Sequence, residues 1–512
     1  MKSISRLFGY GLVLVLLVTA LPVFAAGGGQ AASSGSGAAL KDIDRSKEVE
    51  VIMYYTGDKK PRADELFTNV SNLIKSKINT TLKINMLPTA SYRQTYPLLF
   101  ASGEAFDLAY AATWLNFADL AKRGSFMAIE QLAPKYAPKL YARESESAKK
   151  QATLDGHLYG LPSLWATYSA YGPVYRTDLV KNSGWNGKMD NFADLEVYLD
   201  LVKKNAPNVE PYMVYSGTGS EGDDVFLYTN GIYPIKGSTG DFLFMDPKDP
   251  NPKLFTFYEY PKTMEYLTMM KRWNDNGYFP KSALADPDGD KVRNGKAATR
   301  FHNIDTYEGY YREKPDWEFK WSNFVSDVSN LSWTQDTCVV ASSSKNPDRA
   351  LDLYDLIMSD EQVFRAFVYG IEGVTYRIQN VNGQNYVQSI QPAVPELYDF
   401  TRMWCARTPE FYLPTYGAPA DLNVWKGKFN AYIKEGVMSQ KYRSFVPDFT
   451  SVEAENAACL NAHMQYWWPL ELAYVDINTG LKEYEAAMKA AGIDKVRAAL
   501  QTQLDAYIRD YK

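Results

Sequence analysis

The sequence predicts an α/β protein in two lobes, each a sheet flanked by helices, with hinge segments between them. Three observations carry this expectation. From Val49 onward, short apolar runs rich in β-branched and aromatic residues alternate with helical patterns. A second alternation of the same kind begins near Tyr175 and runs past Tyr310. Between them lies a long extended aromatic stretch, YGLPSLWATYSAYGPVYRTDLV (159–180), and a chain that passes from one lobe to another by a strand makes a hinge. At 512 residues the chain is also too long for one ordinary domain.

The elements follow in order. Lys2 and Arg6 precede an apolar run, Leu12 to Phe24, and Val23-Phe24-Ala25 suits a signal peptidase, so residues 1–25 read as a secretory signal too short to span a membrane. Residues 26–44 begin AGGGQAASSGSGAAL, a composition that cannot bury enough surface to fold, and read as a flexible linker. VEVIMYY (49–55) is a buried strand, and Leu66, Val70, Leu73 and Ile74 mark a helix after it. TLKINML (81–87) alternates as a second strand, a helix leads to Ser102-Gly103, and FDLAY (106–110) is a third strand. Strand–helix–strand–helix–strand implies a parallel sheet, whose ligands sit beyond the carboxyl ends of the strands. Those ends are Tyr55-Thr56-Gly57-Asp58 and Ala112-Thr113-Trp114. In the second half, 191–204 is helical and PYMVYS (211–216) is strand-like. TCVVASS (337–343) precedes two helices, one capped by Asn346 with Pro347 first, the other opened by a Ser359/Gln362 capping box and stopped by Gly370. Val496, Leu500, Leu504 and Ile508 mark a last helix, broken from its predecessor at Gly492.

Composition and motifs narrow the function. A net charge of −5 argues against a nucleic-acid partner. Aromatic residues make up 14% of the chain, and Tyr and Trp offer flat apolar faces with polar edges, suited to flat amphipathic ligands as well as to cores. Cys338, Cys405 and Cys459 cannot all pair within one chain, so at most one disulfide is expected. Gly217-x-Gly219-x-x-Gly222 with Asp241 imitates a dinucleotide fingerprint, but Glu221, Asp223 and Asp224 would repel a pyrophosphate, and a flexible polar loop is expected instead. Asp286, Asp288 and Asp290 lack the glycine position and the twelfth-position Glu of a calcium loop, so a surface turn is expected. His157 follows an Asp155-Gly156 hairpin turn and is expected to be exposed and dispensable. With His302 and His463 far away in sequence and no G-x-S-x-G elbow, nothing nominates a catalytic residue, a metal or a cofactor.

A set of ordered segments then points to a family: LLFASGEAFDLAY (98–110), FADLAKRGSFMAIEQLAPKYAP (117–138), DGHLYGLPS (155–163), VYRTDLVKNSG (174–184), KNPDRALDLYDLIMSDE (345–361) and YGIEGVTYRI (369–378). In this order and spacing the chain, from about residue 47 to its end, resembles the family 1 extracellular solute-binding proteins of ABC importers. YGIEGVTY, with the closing EYEAAMKAAGIDKVRAALQTQLDAYI, is similar to the oligosaccharide-associated branch. Many members carry a lipid-anchored cysteine after the signal; here Ala26 and three glycines stand there, so a protein free in the periplasm or associated with the cell surface is expected.

The resemblance implies the two-lobed periplasmic binding protein fold of type II, with lobe one at 45–168 and 330–378 and lobe two at 169–329 and 379–512. It implies a monomer that captures an oligosaccharide between the lobes and presents it to the permease subunits of an importer. A binder of another solute class such as peptide, or a secreted polysaccharide-active enzyme, is the alternative. A sugar needs aromatic faces against its rings and polar groups around its hydroxyls. The candidate platforms are Trp114, Trp165, Tyr168, Trp333, Tyr376 and Trp404, with Tyr55 at the end of the first strand. The candidate hydrogen-bonding groups are Asp58, His302 and Glu372.

Overall fold

A computed structural model describes residues 40–510, apart from 89–90, 166, 169, 236–240, 326–327, 329–330, 392–403, 423, 426 and 429–444. The expected signal segment and most of the linker lie outside the described residues. Every element discussed below lies in one compact unit, Ile43–Lys512.

The amino-terminal strands form the sheet their alternation implies. Val49–Thr56 pairs in parallel with Thr80–Leu87 on one side and with Leu108–Ala111 on the other. The sheet is completed by Thr337–Val340 and Leu161–Pro162, both running antiparallel to their neighbours. The helix Ala63–Ile78 covers it with Leu66, Val70 and Ile74 at four-residue spacing, which puts all three on one buried face. Helices Pro347–Ser359 and Glu361–Tyr369 follow the returning strand. Their junction differs from the expected capping box. Asp360 caps the second helix by accepting from Val363 N at 3.0 Å, while Ser359 closes the first helix. Only one residue separates the helices, so the cap falls on it. Asn346 stands at the start of the first of these helices but makes no side-chain cap bond; Pro347 and the stop at Gly370 (φ 94°) are as expected.

The second lobe has its own antiparallel sheet, with Gly172–Arg176 between Thr299–His302 and Phe319–Trp321. Gly172 is required there: a Cβ would lie 1.8 Å from Ser322 O, so no side chain fits between the strands. The expected strand at 211–216 is irregular. It touches the sheet through Ala298 N→Glu210 O (2.8 Å) and Met213 N→Thr299 O (2.9 Å), but Pro211 has no N–H to give and no ladder forms. Helix Phe192–Asn205 is capped by Asn191, which accepts from Ala193 N and Asp194 N. Helix Ile493–Asp510 buries Val496, Leu500 and Leu504, and Gly492 (φ 94°) separates it from Ile477–Ala491.

The apolar cores show how the chain is shared. One core draws on residues 51–161 and again on 338–413; the others draw on 170–328 and on the chain from Leu422 onward. The described chain therefore crosses between bodies after Leu164, before Cys338 and after Leu413. The hairpin Tyr376–Val381 with Gln384–Ser389 packs on the first core through Tyr376 and Val387. All three cysteines are free and buried. No described helix is long and apolar enough to cross a membrane.

Candidate functional site

Between the cores lies a cavity of about 230 Å³, walled by residues from both. On the first wall, Leu108–Ala111 ends and the chain turns through Thr113–Leu115, the place where a parallel sheet presents ligand-binding loops. Trp114 in that turn meets Trp404 edge-on, with ring centres 6.0 Å apart at 75°. Tyr92 packs against Trp114 at 5.6 Å. Beneath them Tyr110 is fully buried and donates its hydroxyl to Asp336 Oδ1 at 2.8 Å.

The opposite wall pairs Tyr171 and Tyr228 face to face, 5.6 Å apart and 7° from parallel, with His302 beside Tyr171. Its polar groups are largely spoken for. Arg300 donates from Nε to Glu221 Oε2 at 3.1 Å and from Nη1 to Gly289 O at 3.3 Å. That pairing holds Glu221 at φ 58°, which a non-glycine residue rarely adopts. Arg407 reaches Asp305 at 3.0 Å and Asp336 at 3.5 Å, bridging the two walls. Arg293 pairs with Glu313 and lies 3.6 Å from Asp290. Burial, then the Arg300 charge, pushes the His302 imidazole down to about 4, so it is neutral at neutral pH. Burial, and the carboxylates of Asp223 and Asp241, raise Asp224 well above the usual carboxylate range.

Of the ten residues singled out from sequence, the structure brings Trp114, His302 and Trp404 together on the cavity wall. The other seven lie elsewhere. Tyr55 is in the first core, stacked on Tyr110 with its hydroxyl accepting from Cys405 N, because its strand is central in the sheet. Tyr376 is buried beside Tyr369. Trp165 packs on Tyr412, and Tyr168 against the second lobe's smaller core. Trp333 is half-buried, with its backbone N–H donating to Gln151 Oε1. Asp58 and Glu372 are exposed.

The wall also holds residues that the sequence did not nominate: Asp224, Arg300, Asp336, Arg407, Tyr171 and Tyr228. Thr218, Glu221 and Asp224 come from the glycine-rich stretch expected to be a flexible loop; Arg300 fixes it, and Gly222 opens the helix Gly222–Thr229. A cluster of acids beside three glycines was the available signal. The Asp286–Asp290 turn is closed by cations of the chain: Lys291 lies 3.3 Å from Asp286 and Lys296 2.7 Å from Asp288. Among the described residues no group of His, Cys, Asp or Glu could hold a metal ion. His157 does follow the expected hairpin turn, with Asp155 at φ 51° and Gly156 at φ 87°, and its exposed ring meets Glu130 at 2.9 Å.

Comparison with known proteins places these features. The family model of bacterial extracellular solute-binding proteins matches residues 72–374. A second family model, described as a domain of unknown function, matches residues 441–509. The chain is 22% identical to a carbohydrate ABC transporter substrate-binding protein of Streptococcus pneumoniae, over 93% of this chain and 94% of that one. Among solved structures, an N-glycan transport solute-binding protein of Streptococcus pneumoniae in complex with Man5GlcNAc superposes with a TM-score of 0.76 at 20% identity, covering 91% of this chain and 100% of that one. An ABC-transporter substrate-binding protein of the same species in complex with kestose gives 0.57 at 16% identity, covering 90% and 99%.

Proposed function

Since this chain belongs to the bacterial extracellular solute-binding proteins, we propose that it captures an oligosaccharide in the cleft between its lobes and delivers it, uncleaved, to an ABC importer. The observation that carries this is the pairing of aromatic faces across one cavity: Trp114 and Trp404 on one wall, Tyr171 and Tyr228 on the other. Sugar rings stack on such faces, and each face belongs to a different lobe. The relative of Streptococcus pneumoniae is a carbohydrate substrate-binding protein, and the two structural neighbours hold Man5GlcNAc and kestose, which supports the same ligand class here.

Lobe one is residues 45–168 with 330 to about 413, since Tyr376, Val387 and Leu413 pack on the first core; lobe two is 169–329 with the chain from Leu422. A ligand favours the closed arrangement only by binding it better than the open one, and moving a hinge from 1:99 to 99:1 takes about 5.5 kcal/mol of differential affinity. Contacts to both walls at once supply that difference. The protein acts as an exported monomer, in the periplasm or at the cell surface, and its partners are the permease subunits.

A thermal-shift screen of the purified protein tests the ligand class, because a ligand that binds only the native state stabilises it by RT ln(1 + [L]/Kd). The expected result is a raised melting temperature with one or more oligosaccharides and, after a day's incubation, no cleaved product. A shift with peptides and none with sugars would overturn the reading; product that scales with protein concentration would make the chain an enzyme.

A further inference from the structure

The guanidinium groups of the cavity wall are committed: Arg300 to Glu221, Arg407 to Asp305 and Asp336, and Arg293 to Glu313. Two side-chain amides on the same wall are not. Gln335 ends the short turn Trp333–Gln335 and lines the cavity, half-buried. Its backbone is held on both sides, the N–H donating to Ser332 O at 3.0 Å and the carbonyl accepting from the Tyr110 hydroxyl at 3.3 Å. Its side-chain amide has no hydrogen-bond partner among the described residues. Asn303 lines the cavity from the other lobe, where it caps helix Ile304–Glu313. Its Oδ1 accepts the Thr306 backbone N–H at 3.2 Å and lies 3.1 Å from His302 Nδ1. The cap fixes which way this amide faces, because only the oxygen can accept from a backbone N–H. Nδ2 is therefore the end left to donate, and it has no partner among the described residues.

One guanidinium draws the two amides towards each other. Arg407 lies 3.0 Å from Asp305, two residues after Asn303, and 3.5 Å from Asp336, the residue after Gln335. It ties the lobe-two segment that carries Asn303 to the lobe-one segment that carries Gln335, beside the cavity that both line. The amides differ from the rings around them in what they read. A ring face stacks on a sugar whatever the arrangement of its hydroxyls. An amide N–H needs an acceptor and an amide oxygen needs a donor; a hydroxyl is both, so an amide pairs with it in either sense. A neutral amide also loses less than an ion does on leaving water.

Building on the carbohydrate reading, we infer that Asn303 and Gln335 are the hydroxyl-reading pair of the cleft, one from each lobe: Asn303 donates from Nδ2, and Gln335 donates from Nε2 or accepts at Oε1, to hydroxyls of one sugar held between them. Both bonds form together only when the lobes are together, so the pair favours closure as well as binding.

Calorimetric titration of the full chain tests it, with linear trisaccharides of mannose, glucose, galactose and N-acetylglucosamine as probes. Gln335→Met keeps the reach of the side chain without its polar atoms. Asn303→Ser keeps the helix cap but is too short to grip a ligand. A trisaccharide that binds the natural chain should bind each variant about tenfold more weakly, since a ligand hydroxyl is then left unpaired in a closed cleft. The melting temperature of the ligand-free variants should stay near that of the natural chain. Serine keeps the cap, His302 keeps its nearer contact to Thr306 Oγ1 at 2.7 Å, and the Gln335 amide has no bond within the described chain to lose. Should either variant melt early, Gln335→Ala and Asn303→Thr repeat the test. Affinity within about twofold of the natural chain in the variant of either residue overturns the pair and leaves the carbohydrate reading standing. A loss of affinity that always comes with a loss of stability in the free protein makes the residue structural and overturns it too. If no trisaccharide binds the natural chain, the inference falls together with the carbohydrate reading.

Discussion

The two walls of the cleft are built differently. The first is a cluster of rings, Tyr92, Trp114 and Trp404, standing on a buried Tyr110. Its geometry follows from a sheet: a strand ends, a short turn begins, and Trp114 is the middle residue of that turn. The second wall sets its rings among buried charges. There a guanidinium from one strand, Arg300, pins Glu221, a residue 79 positions earlier, and both line the cavity. A stacking platform needs only packing. A charged wall needs every ion to keep its partner.

The contrast makes the largest expected effect a loss on the second wall. Arg300→Met leaves the half-buried Glu221 without its partner, and breaking a fully buried pair from one side costs about 3–5 kcal/mol, an upper bound for this partly buried one. Its melting temperature should fall by several degrees and ligand binding should be lost together; a variant with native stability would show that the wall does not depend on this pair. On the first wall the outcome is reversed. Trp114→Ala should weaken oligosaccharide binding at least about fivefold through lost stacking, of order 1 kcal/mol, while the melting temperature of the free protein, which loses the ring's packing on Tyr92, Tyr110 and Trp404, falls less than in Arg300→Met. A large loss of stability with unchanged affinity would make Trp114 a core residue rather than a platform.

A smaller effect is expected from pH. Glu471 stands behind the second wall, fully buried, and receives hydrogen bonds from Ser220 and Tyr266. Burial, then Asp223, holds its carboxyl well above the usual range. A raised carboxyl is buried as the neutral acid. Its contribution is complete below the unfolded value of about 4.3 and declines as pH rises from there towards the folded value. Glu471→Gln should therefore flatten part of the decline in melting temperature between pH 5 and pH 8; parallel curves for the variant and the natural chain would remove Glu471 from the pH response. The smallest effect belongs to a residue on neither wall. His157→Ala should leave affinity within about threefold, since surface changes stay within about 0.5 kcal/mol. A tenfold loss would mean that the cleft extends to the 155–158 hairpin.

The same contrast governs what the sequence reveals. Strand ends can be located from apolar alternation, so Trp114 was legible, and His302 could be placed at the end of its strand. The second wall was mostly hidden because its parts make sense only in pairs. Arg300 inside a strand reads as a surface cation until Glu221 is seen against it, and Tyr228 near the end of a helix reads as core. The glycines at 217, 219 and 222 suggested freedom, whereas the acid between them is held by a long-range ion pair. Tyr55 erred in the other direction. A tyrosine at a strand end looks like a ligand group, but in a strand flanked on both sides its ring belongs to the core.

The central claim is that one oligosaccharide touches both walls and closes the lobes on itself. Small-angle scattering of the full chain, with and without the oligosaccharide that gives the largest thermal shift, measures this directly. A radius of gyration that falls at saturating ligand is the predicted result; an unchanged radius, with binding confirmed by calorimetry on the same sample, would contradict the account.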